Sequence, residues 1–230
     1  MQNSDLCGDM FPIQGGNMSM TFKILISTLL LSFSFSAFAG DELQNGGDII
    51  ACPGLEIPAY RSLDLYEGKM VYNLEPALID QNDYRVIVSK LIDRIEKFDI
   101  NRAKLYRVFL KNFASEVQMI PGSEFGNVKD EGFITLPQGC ELQQAAAQFR
   151  RPTPEGIKYI FNSNIWSNMS TMTRAALVLH EIVYREALMP KTGPATSAKV
   201  RYFTAYIHSS KMVNGSSADY AKAKAFAGFK

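Results

Sequence analysis

Apolar positions recur at helical spacing in two parts of the chain. Over residues 80–98 they lie three or four residues apart, and the spacing returns over residues 105–113. Such a repeat places one apolar stripe along a helix. Because the connection between the two stripes is short, we expect a pair of antiparallel helices at about 80–117.

A second helical pair is predicted at about 170–210. The most periodic segment is Thr173–Leu188, whose apolar stripe includes Val178 and Ile182. Pro190 and Gly193 follow it, and both residue types end helices. Apolar residues then recur at helical spacing up to Ile207, which predicts a final helix beside the first.

Short β-branched or aromatic runs between Gly and Pro predict strands in the first and middle thirds of the chain. These runs are Ile49–Cys52, Tyr60–Tyr66, Phe133–Leu136 and Lys158–Phe161. Cys140–Phe149 fits either a strand or a short helix. The predicted fold class is therefore α+β, in a single small domain.

The first 39 residues predict a leader. Lys23 precedes the apolar run Ile24–Phe35, and Ala37-Phe38-Ala39 follows it, as in a secretory signal peptide cleaved after its A-x-A site. An uncleaved anchor is the weaker interpretation, because the run is shorter than the roughly 20 residues that a span needs. We therefore expect export to the periplasm or medium, and no stable membrane insertion after cleavage.

The domain boundaries follow from this leader. Residues 1–17 carry two acids and no basic residue, so we expect translation to start at Met18 or Met20 and the leader to contain an over-extended start of 17–19 residues. Residues 40–230 would form the single domain. Its end alternates Ala and Lys, which indicates a frayed helix or a loose tail from about residue 215.

Charge and cysteine content restrict the partners and the compartment. Removing the leader lowers Lys+Arg from 24 to 23 and Asp+Glu from 23 to 21, which leaves a charge of +2. This near-neutral balance argues against nucleic acid as a main partner. Cys7 leaves with the leader, and the remaining Cys52 and Cys140 predict a disulfide, with two free or metal-binding thiols as the rival interpretation.

His180 and Glu181 are the start of a zinc-peptidase motif. In H-E-x-x-H the second histidine is a ligand, but here Tyr184 occupies that position. A catalytic zinc needs three protein ligands, and a set of His180, His208 and Asp219 with Glu181 as general base matches no known spacing. We favour a structural role, in which His180 and Tyr184 are hydrogen-bonded at the edge of the core.

Other polar groups can join these residues on facing helices. Arg185 follows Glu181 at ion-pair spacing, and Arg201 lies on the adjacent stripe of the final helix. If an active site exists, its catalytic candidates are thus Glu181, Tyr184, Arg185 and Arg201, with His180 and His208 as metal ligands. The chain has neither a G-x-S-x-G nucleophile elbow nor a Gly-rich phosphate loop.

Several short motifs together resemble those of another group of proteins. They are N-G-G-D at 45–48, S-L-D-L-Y-E-G at 62–68, L-P-Q-G-C at 136–140 with Gln144 and Gln148 after it, and L-H-E-I-V-Y-R at 179–185. The set is similar to that of uncharacterised exported bacterial proteins, common in predatory Gram-negative species. The resemblance implies an exported domain with one disulfide, and it implies no activity.

The sequence thus leads to two functional hypotheses. The favoured one is a periplasmic or envelope module that binds a partner or has a structural role, with an envelope component or a protein as partner and no cofactor. The alternative is a metal-dependent, zincin-like hydrolase that uses zinc, His180 and Glu181.

Overall fold

A computed structural model describes residues 43–54, 60–122, 135–189 and 196–230. The predicted leader lies outside these ranges, as do Pro190, Gly193 and the first half of the predicted strand Phe133–Leu136. Its described half, Thr135 and Leu136, is not in a strand. Residues 41–230 form one compact unit. No helix in the described ranges has both the length and the apolar character needed to cross a membrane.

Helices and strands are mixed along the chain, so the predicted α+β class is confirmed. The strands are β1 (Leu43–Asn45), β2 (Asp48–Ala51), β3 (Tyr60–Ser62), β4 (Val117–Ile120), β5 (Glu141–Gln144), β6 (Ala146–Phe149) and β7 (Tyr159–Asn162). The helices are α1 (Leu63–Tyr72), α2 (Tyr84–Glu96), α3 (Ile100–Glu116), α4 (Ser163–Asn168), α5 (Thr171–Ala187), α6 (Ser197–His208), α7 (Ser210–Asn214) and α8 (Ser217–Phe226).

The strands form two small sheets. One has the order β1-β6-β7-β4, with β4 parallel to β7 and the other pairs antiparallel, and the second is the antiparallel sheet β3-β2-β5. The segment Cys140–Phe149, which fits either a strand or a short helix by sequence, therefore contains the two strands β5 and β6. Only Gly46 and Gly47 separate β1 from β2, and only Ala145 separates β5 from β6.

These two crossings between the sheets lie side by side. The carbonyl of Gly47 accepts hydrogen bonds from the amides of Ala145 and Ala146, both at 3.1 Å. A Cβ at Gly46 would lie 2.4 Å from the carbonyl oxygen of Ala146. Glycine is required at Gly46 because two backbones approach each other closely there.

The predicted helical pairs are present. Asp83 and Asp99 cap α2 and α3, and their side chains accept hydrogen bonds from backbone amides of the first turn. The two helices pack against each other, and α2 also packs against α5. Helix α5 contributes buried residues on all sides and lies in the core of the domain.

The prediction of a strand over Tyr60–Tyr66 is wrong beyond Ser62. Strand β3 ends there, and the Ser62 side chain accepts a hydrogen bond from the amide of Leu65, 3.3 Å away, so that Ser62 is the N-cap of α1. Helix α1 buries the acidic Asp64 and Glu67 together with Leu63. Because polar residues lie on its buried face, its sequence lacks a clear apolar stripe.

The chain end, for which the sequence predicts a frayed helix or a loose tail, contains helix α8 and packs on the domain. Ser216 and Asp219 form a capping box at the start of α8. Tyr220 stacks on Phe98 at 5.5 Å between ring centroids, and Phe229 is only 4 % exposed. The cap and the buried aromatic residues hold the last residues on the domain.

The predicted disulfide between Cys52 and Cys140 is confirmed. It joins the end of β2 to the turn before β5, across 88 residues of chain. A loop of this length corresponds to about 4 to 5 kcal/mol of stabilisation in the chain-entropy model. The bridge packs in a small apolar cluster with Ile50 and Leu63, which fixes the start of α1 next to the β2 sheet.

Candidate functional site

His180 and Glu181 lie in the interior of the domain. Helix α5 begins after the cap Ser170 and continues to Ala187, and it is enclosed by neighbouring elements along most of its length. The two side chains are 1 % and 0 % exposed. Buried polar groups of this kind need partners from neighbouring elements.

His180 is paired with an acid from α1. Its Nδ1 lies 2.8 Å from Oδ2 of Asp64, which is 2 % exposed. Burial alone would lower the pKa of His180, but the charge and hydrogen bond of Asp64 outweigh it and raise that pKa to about 9. The pair is therefore an imidazolium donating to a carboxylate. The Nε2 atom has no hydrogen-bond partner among the described residues.

Glu181 is held by neutral donors. Its Oε1 accepts a hydrogen bond from the amide of Gly47 at 2.6 Å, and its Oε2 accepts one from Nε2 of Gln148 at 3.0 Å. Burial raises the pKa of Glu181 to about 7, although the positive charge of His180 and the Gly47 amide oppose the rise. A Cβ on Gly47 would lie 2.1 Å from Cδ1 of Leu177, so a side chain at this position would force Leu177 to move.

A second buried ion pair joins α1 to α6. The Nε of Arg201 donates to Oε2 of Glu67 at 2.5 Å, and Nη1 of Arg201 donates to Oγ of Ser197 at 3.1 Å. A Cβ at Gly68 would lie 2.4 Å from the Cβ of Ala205. Glycine at 68 thus allows the close packing of α1 on α6 that brings Glu67 to Arg201.

We call these contacts together the buried polar cluster. Its members are Gly47, Asp64, Glu67, Gln148, His180, Glu181 and Arg201. Residues of the N-G-G-D segment, the S-L-D-L-Y-E-G segment and the L-H-E-I-V-Y-R segment contribute to it together with Gln148, although they are far apart in the sequence. Three of the motifs behind the resemblance therefore meet at one place in the fold, whereas L-P-Q-G-C contributes no member.

Arg185 and Tyr184 have other surroundings. Arg185 donates to Glu116 and, at 3.3 Å, to the hydroxyl of Tyr159, so the expected pair with Glu181 is replaced by one with Glu116. Its guanidinium lies 4.2 Å from the ring centroid of Phe109. Tyr184 is 7 % exposed, and its ring centroid is 6.0 Å from that of His180.

His208 lies at the end of α6 and is 1 % exposed. Burial and the nearby positive charge of Arg94 lower the pKa of His208 to about 3. Arg94 donates to the carbonyls of Ile207 at 3.1 Å and His208 at 3.0 Å. Asp219, the third ligand considered, caps α8 at the surface. No group of three or more His, Cys, Asp or Glu residues in the described ranges could hold a metal ion.

Sequence reasoning missed the acids that pair with His180 and Arg201. Asp64 and Glu67 are three residues apart, which places them on one face of a helix. Ser62 in front of them is a typical N-cap, and the cap was the available signal for a helix here. Which helix each acid would meet depends on packing that the sequence pattern does not show.

The ion pair between Arg102 and Glu186 was also missed. The Nε of Arg102 lies 2.9 Å from Oε2 of Glu186, and Nη2 of Arg102 lies 2.9 Å from Oε1. The hydroxyl of Tyr106 donates to Oε2 at 2.6 Å. In contrast to Glu181, Glu186 faces a guanidinium with two parallel donors, the strongest arrangement for a buried carboxylate.

No protein-family model matches this chain, and no curated protein or solved structure is significantly similar to it. A function must therefore be inferred from the geometry of the described residues.

Proposed function

We propose that the chain is an exported binding or envelope-structural module, in which the buried polar cluster stabilises the fold and has no catalytic role. The predicted leader supports export, and the disulfide between Cys52 and Cys140 is compatible with an oxidising compartment. The observation that carries the proposal is the burial of His180 and Glu181, which are 1 % and 0 % exposed.

A general base must come within hydrogen-bond reach of the substrate proton that it removes. Glu181 is fully buried, and each carboxylate oxygen already accepts a hydrogen bond, one from Gly47 and one from Gln148. His180 holds its proton toward Asp64. These contacts join α5 to α1, to strand β6 and to the Gly46–Gly47 link between the two sheets, which is the role expected of a structural cluster.

Metal analysis of the purified, oxidised mature chain tests this proposal, together with urea unfolding of wild type and His180→Ala. We expect less than stoichiometric zinc in both proteins. His180→Ala should lower the free energy of unfolding by about 1 to 3 kcal/mol, because Asp64 loses its partner. One zinc per wild-type chain, lost in a folded His180→Ala, would overturn the proposal.

A metal-dependent hydrolase is the second candidate, and one observation favours it. Zinc-bound histidines commonly donate their second ring nitrogen to a carboxylate, and His180 has this arrangement, with Nδ1 on Asp64 and Nε2 without a protein partner in the described ranges. Glu181 would then be the general base. Zinc-dependent hydrolysis that Glu181→Gln abolishes would favour this candidate over the module.

A further inference from the structure

A groove with aromatic walls lies between the end of α1 and helices α6, α7 and α8. Two adjoining hollows of about 440 and 390 Å³ share Tyr202, Tyr206, Lys211 and Lys222. Their size falls in the range of small-molecule sites. We call this surface the aromatic groove, and its lining includes Tyr72, Tyr202, Tyr206, Lys211, Lys222 and Phe226.

The aromatic side chains that line the groove pack against one another in the free protein. The ring of Tyr202 packs edge-to-face against Tyr72 at 4.8 Å and Phe226 at 4.4 Å between centroids. Tyr72 and Tyr202 are half-buried and Phe226 is 52 % exposed. Preorganised rings that remain partly exposed can stack on a flat apolar ring without a cost for ordering them.

A buried hydroxyl lies at the groove without a protein partner. Tyr206 is 4 % exposed, and its O–H has no hydrogen-bond partner among the described groups. A Cβ at Gly215 would lie 3.5 Å from this oxygen. Gly215 and Tyr206 both line the first hollow, so this buried hydroxyl lies next to the wall of the groove. A buried hydroxyl without a partner costs free energy that a ligand acceptor would recover.

Two lysines and one aspartate line the groove, so its net charge is positive. Lys211 and Lys222 are exposed, and neither amine is in an ion pair within the described part of the chain. Asp219 is the acidic residue of the lining, but its carboxylate accepts hydrogen bonds from the amide and the hydroxyl of Ser216 at 2.9 and 2.7 Å. The groove therefore offers a ligand the amine of Lys222, the amine of Lys211 and a phenol donor. The amine of Lys211 also donates to the carbonyl of Tyr72 at 3.4 Å.

We propose that the aromatic groove binds a small ring-shaped anion, with the ring against Tyr202 and Phe226 and the acidic group near Lys211, Lys222 and the Tyr206 hydroxyl. This inference rests on the proposed binding function and assigns it a site and a ligand class. An aromatic acid and an acidic sugar both have this chemistry.

Calorimetry and ligand-observed NMR on the mature chain distinguish an aromatic acid from an acidic sugar as the ligand. The probes are phenylacetate and glucuronate, and their neutral analogues are phenylacetamide and glucose. For a probe of about a dozen heavy atoms we expect a dissociation constant on the order of 1 mM for at least one acid. The neutral analogue of that acid should bind about 3- to 10-fold more weakly, because the contact with the lysines is lost.

Two variants locate the binding. Tyr206→Phe should weaken the bound acid about 3- to 10-fold, because one hydrogen bond is removed. Its melting temperature should stay equal or rise, since the lost hydroxyl has no partner in the free protein; a purely structural tyrosine would give the opposite pattern. Lys222→Gln should weaken binding, while Lys224→Gln, on the same helix but outside the groove lining, should not.

The proposal is overturned if neither acid binds, or if Tyr206→Phe and Lys222→Gln bind the acid as tightly as wild type. That result would leave the structural role of the buried polar cluster intact. Stoichiometric zinc bound through His180 would instead contradict the structural role of the buried polar cluster. It would leave the proposal for the aromatic groove intact.

Discussion

The chain's two histidines differ in charge although their burial is the same. His180 and His208 are each 1 % exposed, and in each the Nε2 atom has no partner among the described residues. The pKa of His180 is nevertheless raised to about 9 and that of His208 is lowered to about 3. The difference comes from the neighbouring charge, which is the carboxylate of Asp64 at one site and the guanidinium of Arg94 at the other.

This contrast bears on the zinc hypothesis. Zinc binds neutral imidazole, so ligand binding at a protonated histidine must displace the proton. At neutral pH His208 is neutral, but His180 holds its proton in the contact with Asp64. A metal at His180 would have to compete with that proton, and a metal at His208 would lie near the positive charge of Arg94. The charge of His180 and the surroundings of His208 therefore both oppose zinc binding by these two histidines.

His208→Gln should have the largest effect, and it should appear in acid. Because the folded pKa is about 3 and the ordinary value is 6.5, the unfolded chain binds a proton below pH 6.5 that the folded chain does not. Wild type thus loses up to about 4 to 5 kcal/mol between pH 6.5 and 3, and His208→Gln does not. The stability difference from urea unfolding should shift in favour of the variant as pH falls. A difference that is constant with pH would contradict the neutral state of His208.

His180→Gln should change the stability on the alkaline side of the pH range. Its folded pKa of about 9 lies above the ordinary 6.5, so its contribution to stability is fully present below pH 6.5 and is lost as pH rises through 9. We expect the stability gap between wild type and His180→Gln to shrink by about 3 kcal/mol over this window. Urea unfolding at pH 6, 7.5 and 9 measures it. Equal gaps at pH 6 and 9 would show that Asp64 does not hold a charged histidine.

Gly68→Ala should act indirectly on the His180 site, with a smaller effect. Its Cβ would lie 2.4 Å from that of Ala205, which forces α1 and α6 apart and displaces Asp64 and Glu67. We expect a loss of about 1 to 3 kcal/mol in the free energy of unfolding. Val71→Ala, at a position of α1 that is 58 % exposed, is the matched control and should change it by less than about 0.5 kcal/mol. Equal losses in both variants would contradict the close packing at Gly68.

The sequence pattern predicted the elements whose polar and apolar faces are separate. Helices α2 and α5 have apolar stripes at helical spacing, and the disulfide followed from the parity of Cys52 and Cys140 in a chain predicted to be exported. Helix α1 was missed because it buries Asp64 and Glu67 beside apolar residues. The sequence leaves α8 open between a frayed helix and a loose tail because its small and charged residues form no apolar stripe. The buried side chains of Tyr220 and Phe229 hold it on the domain.

The candidate site was predictable only in part. Position and spacing identified His180, Glu181 and Arg201 as polar residues on facing helices. Their partners depend on contacts more than 100 residues apart in sequence, such as Asp64 with His180 and Glu67 with Arg201. Such contacts depend on how α1 packs between neighbouring elements, and residue spacing along one helix contains no information about it.

NMR of the imidazole nitrogens tests most directly whether His180 is a structural, charged residue. With two histidines in the chain, His208→Gln assigns the signals. We predict that both ring nitrogens of His180 stay protonated up to about pH 9, and that Asp64→Asn brings this titration to a much lower pH. A wild-type His180 that titrates near pH 6.5, or whose Nε2 is unprotonated and bound to zinc at neutral pH, would contradict the account.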